Sequence, residues 1–191
     1  KLGLYEINFV EHNHQIELLN GEEVFIIIDE KVFDLYPFFK NSKIIKVPAL
    51  ESSKTLFFAE SVVKSLRDFG ANRNSQIIAI GGGIIQDIAT FVASIYMRGI
   101  PWEYYPTTLL SMVDSCIGGK SSINVADFKN IAGNFYPPRK IYIDSGFCSS
   151  LESIDLASGI CEAVKICFAD ESSSFDTITV SYTHLRAHET R

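Results

Sequence analysis

The chain is poor in the features that would take it out of the ordinary globular class. Its four cysteines, Cys116, Cys148, Cys161 and Cys167, form no CxxC pair and no regular framework. That scarcity argues against a disulfide scaffold and for reduced thiols in a cytoplasmic protein. No apolar stretch approaches the roughly 18 residues of a membrane span. The opening run, "KLGLYEINFVEHNHQIELLNGEE", lacks the basic-then-apolar pattern of a signal peptide. Positive charge is also short: 17 Lys and Arg stand against 23 Asp and Glu, a formal net charge of −6. Nucleic acid and anionic membranes are therefore disfavoured as partners, although a local basic pocket for a phosphorylated small molecule is compatible with an acidic whole. Internal repeats and low-complexity linkers are absent as well. What remains is a composition 47% hydrophobic and 21% charged, typical of a soluble globular protein. Its 191 residues allow one ample domain, or one domain and part of another.

From residue 24 short β-rich runs alternate with longer helical ones. Strands are expected at "VFIIID" (24–29), "KIIKVP" (43–48), "QIIAI" (76–80), "WEYYP" (102–106) and "KIYID" (140–144). Helices are expected near 31–39, over 54–70 with Gly70 at the end, and over 84–98, with a helical turn or two at 107–115. Alternation of this kind implies an α/β fold, a Rossmann-like parallel sheet covered on both faces. After residue 145 the strands stop. "SLESIDLASGICEAVKICFA" reads as helix, so the expected division is an α/β domain over 1–150 and the start of an α-helical domain over 151–179.

The strand "QIIAI" runs directly into "GGGIIQD" at the head of a helix. Glycines at such a turn let backbone N–H groups converge on an anion, with the helix N-terminus adding partial positive charge. The sequence is neither GxGxxG nor a Walker A motif, so taken alone the turn fits a tight bend without a ligand as well as a phosphate cradle. Asp87 is either a charge favourable to the helix dipole or a hydrogen-bond partner for a ligand hydroxyl. Downstream, "YMRGIP", "PTTLLSMVDSCIGGKSSIN" and "FKNIAGNFYPP" place Arg98, Asp114, Lys120, Lys129 and Asn130 in loops beside the C-terminal strand ends, where open α/β sheets bind ligands. Any one of these lysines reads as a solvated surface residue. Several cations among tight turns, in an acidic chain, read as a pocket for a phosphorylated anion.

Together, "GGGIIQD", "YMRGIP", "PTTLLSMVDS", "GGKSSIN", "KNIAGNFYPP" and "SGICEAVK" resemble, in order and spacing, the 3-dehydroquinate synthase family of sugar phosphate cyclases; the resemblance covers roughly residues 24–178. It implies NAD and a divalent metal, zinc or cobalt, as cofactors. It implies as substrate a small phosphorylated sugar acid, the seven-carbon keto acid that loses phosphate and closes to 3-dehydroquinate. Gly82, Gly83, Ile84, Ile85, Gln86 and Asp87 would meet the NAD pyrophosphate. Glu51 and Lys54 in "ALESSK" match the family's Glu-x-x-Lys near the adenosine ribose, and Asp29 is the ribose candidate at the end of "VFIIID". Thr107 and Thr108 match a Thr pair, and Phe147, Cys148, Ser149 and Ser150 a further nucleotide-contacting turn. Asp114, Lys120, Lys129 and Asn130 match residues shared between nicotinamide and substrate, and Arg98 a substrate-binding arginine. Glu162 matches the metal-binding glutamate and Lys165 a substrate-side lysine. Their i, i+3 spacing on a helix would equally give an ordinary surface salt bridge. NAD is regenerated in each turnover, so the net reaction implied is a lyase's, and homodimerisation is a family expectation for a full-length parent.

The chain departs from the family in several places. Gln86 stands where the family has Gly, and either crowds the pyrophosphate or points away. Lys31 replaces a common Asn, Cys161 a common Ala, and Ile166-Cys167 a Tyr-Gly pair. These changes leave room for a sister cyclase, such as a 2-deoxy-scyllo-inosose synthase-like enzyme, or for a metal-dependent polyol dehydrogenase. The family's two metal-binding histidines lie in a long helical region that this chain does not match. From Val180 the ending "VSYTHLRAHETR" resembles a translated sequencing adapter, and 180–191 is expected to be a non-native tail. His184 and His188 are spaced i, i+4 but stand in HxxxHE order, and are not read as metal ligands. His12 and His14 are read as surface residues. On these grounds the fragment is expected to be a nucleotide-binding piece without cyclase turnover, with helix 154–169 left apolar on one face and prone to aggregation.

Overall fold

The computed structural model describes residues 5–11, 21–36 and 43–170. His12, His14, His184, His188 and the 180–191 tail lie outside the described residues. Among the described residues there are eight strands: β1 (Glu6–Phe9), β2 (Val24–Asp29), β3 (Ile44–Val47), β4 (Gln76–Gly81), β5 (Trp102–Pro106), β6 (Ile123–Val125), β7 (Phe128–Ala132) and β8 (Lys140–Ile143). Four α-helices accompany them: α1 (Glu30–Leu35), α2 (Leu56–Asp68), α3 (Gly83–Ile95) and α4 (Ser153–Ala169).

Six strands form a parallel sheet in the order β1-β8-β5-β4-β2-β3. The order reverses between β2 and β4: the chain goes outward to β3, then returns to the other side of β2. Such a switch point opens a crevice beyond the strand ends, where ligands of doubly wound sheets bind. Here it lies beside Asp29 and the glycine turn, since Ile28 of β2 faces Ile80 of β4.

Strand alternation sorts the core into two layers. Phe25 and Ile27 of β2, with Ile77 and Ala79 of β4, pack on one face with Ala59, Val62 and Leu66 of α2 and Ile85, Ile88, Ala89 and Val92 of α3. Ile26, Ile28, Ile78 and Ile80 pack on the other with Val32, Tyr105, Tyr142 and Phe147. Burial on both faces explains why β2 and β4 read as continuous apolar runs rather than alternating ones.

The α/β alternation expected from sequence is present, with differences that have physical causes. Helix α3 stops at Ile95, not at residue 98, because Met97 (φ 52°) and Arg98 (φ 70°) turn left-handed and Gly99 (φ 112°) completes a reversal. The reversal returns Ile100 to the core, its N–H donating to the Ala93 carbonyl at 2.9 Å. Helix α2 spans 56–68, capped by Thr55, whose hydroxyl accepts from Phe58 N–H. The turn expected at 107–115 is a five-residue π-helical turn, Ser111–Ser115. Strand β1 and the antiparallel β6–β7 hairpin were not expected. β1 is a short edge strand with Phe9 83% exposed, and β7 shows an almost uniformly exposed face, so neither carries a burial alternation.

Candidate functional site

The glycine turn sits at the end of β4, with Gly82 as the N-cap of α3 and no side chain capping it. The first N–H groups of any helix lack intrahelical acceptors; here these belong to Gly83, Ile84 and Ile85, while Gln86 N–H donates to the Gly82 carbonyl at 3.1 Å. The three glycines have different reasons to be glycine. A Cβ on Gly81 would lie 2.3 Å from Ile85, and one on Gly82 would lie 2.9 Å from Thr108, so internal packing forbids both. A Cβ on Gly83 would meet only Ser115 Oγ, at an ordinary 3.6 Å. The protein's own packing therefore does not require a glycine at 83, and the bare backbone there suits close approach of an anionic ligand. Around the same strand ends stand Asp29, which caps α1 by accepting from Lys31 N–H at 2.9 Å, and Thr107, whose N–H donates to the Gly81 carbonyl at 3.0 Å. Burial pushes the Asp29 carboxyl above the ordinary range. Thr108 is tied to Ser111 through its hydroxyl. Residues 147–150 lie in a 3-10 turn, Ser145–Ser150, after β8, with Phe147 edge-on to Tyr36 and Ser150 accepting from the Tyr36 hydroxyl.

Beside the glycine turn, the start of α3, the π-helical turn and the β6–β7 hairpin enclose a cavity of about 590 Å³. Lys54, Gln86, Asp87, Asp114, Lys120 and Asn130 all line it. Lys54 is its electrostatic centre. The ammonium is almost fully buried, lies 2.8 Å from Asp87 Oδ2 and 3.8 Å from Glu51 Oε2, and donates to Asn130 Oδ1 at 3.0 Å. Desolvation raises the Asp87 carboxyl above its usual range; the Lys54 ion pair opposes that rise without cancelling it.

Gln86 is fixed in place by a neighbour on the π-helical turn. Its side chain is 3% exposed and both amide atoms are engaged by one residue: Nε2 donates to the Ser115 carbonyl and Oε1 accepts from Ser115 Oγ at 3.0 Å. The side chain is thus committed to Ser115 and clamps the π-helical turn that carries Asp114, while still lining the cavity.

The other expected residues are not gathered into the cavity. Arg98 is exposed on the left-handed turn after α3, and Lys129 is exposed on β7. Glu162 and Lys165 make the ion pair that i, i+3 spacing allows, with 2.5 Å between Oε1 and Nζ. The hydrogen bond to Glu162 raises the Lys165 ammonium above its ordinary value, and the negative charge of Asp114 adds to the effect. Helix α4 reaches that position through Gly159, packed on Leu109 and Leu110 so closely that a Cβ would fall 2.6 Å from the Leu109 side chain. Among the described residues no group of three or more His, Cys, Asp or Glu could hold a metal ion.

Sequence reasoning passed over Ser115, Ser121, Ser122, Asn124 and Asn134. Ser121 and Asn134 bond to each other across the hairpin base, Ser121 Oγ donating to Asn134 Oδ1 at 2.8 Å. The one signal in the sequence was the cluster of small polar residues in "GGKSSIN" and "AGN", which reads locally as turn composition.

Comparison with known proteins identifies the family and the fold. A curated 3-dehydroquinate synthase from Thermoanaerobacter pseudethanolicus is 38% identical over 170 residues, covering 84% of this chain and 48% of the relative. The chain thus spans about half the length of the curated relatives it matches. A solved 2-epi-5-epi-valiolone synthase from Streptomyces hygroscopicus subsp. jinggangensis, with NAD+ and Zn2+ bound, superposes with a TM-score of 0.79 at 28% identity, over 87% of this chain and 50% of that one. A 2-deoxy-scyllo-inosose synthase complexed with carbaglucose-6-phosphate, NAD+ and Co2+ gives a TM-score of 0.75 at 28% identity, over 85% and 48%. The family model described as 3-dehydroquinate synthase N-terminal matches residues 44–158, more than half of the chain and all of the cavity-lining residues. The chain belongs to the 3-dehydroquinate synthase family.

Proposed function

We propose that this chain is the nucleotide-binding portion of a 3-dehydroquinate synthase. That enzyme is a carbon–oxygen lyase that converts 3-deoxy-D-arabino-heptulosonate 7-phosphate to 3-dehydroquinate in the shikimate route to aromatic amino acids. The observation that carries this reading is the junction of two features at one strand edge: the glycine turn, whose Gly83 has no internal packing reason, and the cavity centred on buried Lys54. The curated relatives named 3-dehydroquinate synthase, at 38% identity, favour that substrate over those of the sister cyclases at 28%.

On this reading the first-turn N–H groups of α3 donate to the NAD pyrophosphate, helped by the helix dipole. Asp29, Glu51 and Lys54 hold the adenosine ribose, and Thr107, Thr108 and residues 147–150 continue the contact along the strand ends. Bound NAD supplies reversible oxidation of a ring hydroxyl. Asp114, Lys120, Lys129 and Asn130 orient the ring, while Lys165 and Arg98 neutralise carboxylate and phosphate. Zinc or cobalt is the second cofactor of this reading, with Glu162 as one oxygen ligand. The described residues do not by themselves make a metal site, so no step is assigned through the metal. For the same reason we read the 191-residue chain as binding nucleotide without turnover, and place it, with its homodimeric parent, in the cytoplasm. The division at 1–150, 151–179 and a non-native 180–191 tail belongs to this reading too.

Titration of NAD into the chain, with and without the seven-carbon phosphate, tests the reading. Saturable NAD binding that the phosphate tightens, with no phosphate release and no net NADH, is the expected result. Tightening by 2-deoxy-scyllo-inosose precursors instead would assign a sister cyclase. Accumulating NADH with a simple polyol would assign a dehydrogenase.

A further inference from the structure

We infer that Asn124 is a positioning residue: its side-chain amide latches the β6–β7 hairpin to the 51–54 turn and so fixes Lys54 and Asn130 against the cavity. The inference rests on reading the cavity as the face that meets nucleotide and substrate.

Asn124 lies in β6, is 9% exposed, and does not itself line the cavity. Its polar atoms join the pieces that do. Its backbone N–H donates to the Lys54 carbonyl at 2.6 Å, continuing a parallel bridge between Thr55 and Asn124. Its Nδ2 donates to Glu51 Oε1 at 2.9 Å, and its Oδ1 accepts from Asn130 N–H at 2.8 Å. Asn130 has φ +56°, a left-handed conformation that asparagine adopts more readily than other non-glycine residues, and the bond to Asn124 Oδ1 holds its N–H in that turn. Held there, Asn130 turns Oδ1 toward Lys54 Nζ, at 3.0 Å, and toward the Ser122 hydroxyl, at 2.7 Å. A side chain at 124 must therefore donate on one side and accept on the other within one short reach. Asparagine does both; aspartate keeps the acceptor and loses the donor, and leucine loses both.

An Asn124→Asp variant sets a new carboxylate against that of Glu51, which supplies a readout that a space-filling role would not move. The charged group bonded to that side chain is Glu51; Lys54 lies 3.8 Å from the Glu51 carboxylate and is itself paired with Asp87 of α3. Two carboxylates set where one hydrogen bond stood repel when both are ionised. They share a proton when the pH falls, which restores the donor.

The test uses the chain itself, with two probes. In the unmodified protein, hydrogen exchange followed by NMR is expected to show the Asn130 amide protected although the residue is exposed; exchange at the unprotected rate would overturn the latch with no variant needed. NAD titration is then run on unmodified, Asn124→Asp and Asn124→Leu chains. The aspartate variant is expected to bind NAD about 10-fold more weakly at about pH 7.5 and to recover toward the unmodified chain at about pH 5.5, with the leucine variant weaker still and showing no recovery. Equal affinities for all three, or equal losses in both variants without pH recovery, would overturn the proposal. If the unmodified chain binds no NAD, the nucleotide reading fails while the latch is still judged by Asn130 exchange.

Discussion

Lys54 shows how much one side chain decides here. Buried charge is tolerated when it is paired, and breaking a buried pair costs more than the pair contributes. Lys54→Met should leave Asp87 desolvated without its cation and destabilise the chain by about 3 kcal/mol, the low end for a buried pair because Asp87 keeps some solvent contact, read as a lower urea midpoint. Because the folded-state pKa of Asp87 already lies above the unfolded one, the folded carboxyl binds its proton more tightly. Stability contributed by that proton is present below the unfolded value, near ~3.9, and is lost as pH rises through the folded value. Removing Lys54 raises the folded value further, so the pH window of declining stability should widen upward; an unchanged window would contradict the ion pair's role. Gln86 gives a prediction of opposite sign to the crowding expectation. With its amide committed to Ser115, Gln86→Gly should not tighten NAD binding and should cost about 1 kcal/mol in helix propensity alone. Tighter binding would mean that the side chain obstructs the glycine backbone after all.

At the level of elements, legibility followed burial. The strands β2 and β4 were readable because both faces are covered and the runs are wholly apolar. The glycine turn was readable as a special backbone site. The reason for each separate glycine was not, because the close neighbours of Gly81 and Gly82 are side chains, and the freedom of Gly83 shows only against Ser115. The β6–β7 hairpin was hidden for the opposite reason. Its residues are mostly exposed, its register is irregular, and Ala126 and Asn130 both have positive φ, so no period-2 signal survives. The site residues taken from the family resemblance came from motif order, and of them Lys54, Gln86, Asp87, Asp114, Lys120 and Asn130 line the cavity whereas Arg98, Lys129, Glu162 and Lys165 do not. The small polar residues that join them needed the hairpin. Helix α4 offers a test at this scale. Replacing an exposed helical glycine by alanine normally stabilises by up to about 1 kcal/mol, yet a Cβ at 159 would fall within 2.7 Å of the Leu110 nitrogen. Gly159→Ala should therefore lower the thermal midpoint, and a raised midpoint would show that α4 is not seated on the π-helical turn.

For the molecule as a whole, the distribution of apolar surface is uneven. The sheet is covered on both faces, whereas α4 has Gly159 as its buried residue and exposes Ile154, Val164, Ile166 and Phe168. Contiguous exposed apolar area favours association. Sedimentation of the chain should show concentration-dependent self-association with binding of an apolar dye. A monodisperse monomer that binds no dye would contradict this. The acidic balance, −6 overall, extends into the cavity, where Lys54 and Lys120 stand beside Asp87 and Asp114, so the two lysines are local cations in a mixed-charge lining.

The most direct test of the nucleotide cradle is calorimetric titration of NAD into the unmodified chain and into Gly83→Val, with circular dichroism confirming that both are folded. A Cβ at position 83 meets only Ser115 Oγ, at 3.6 Å, so the first carbon added there is tolerated within the protein, and the dichroism checks that the two γ-methyls are tolerated too. Saturable one-to-one binding to the unmodified chain, lost in Gly83→Val, is the predicted result. Absence of saturable binding to the folded unmodified chain, or equal binding by the variant, would contradict the assignment of the glycine turn as the nucleotide site.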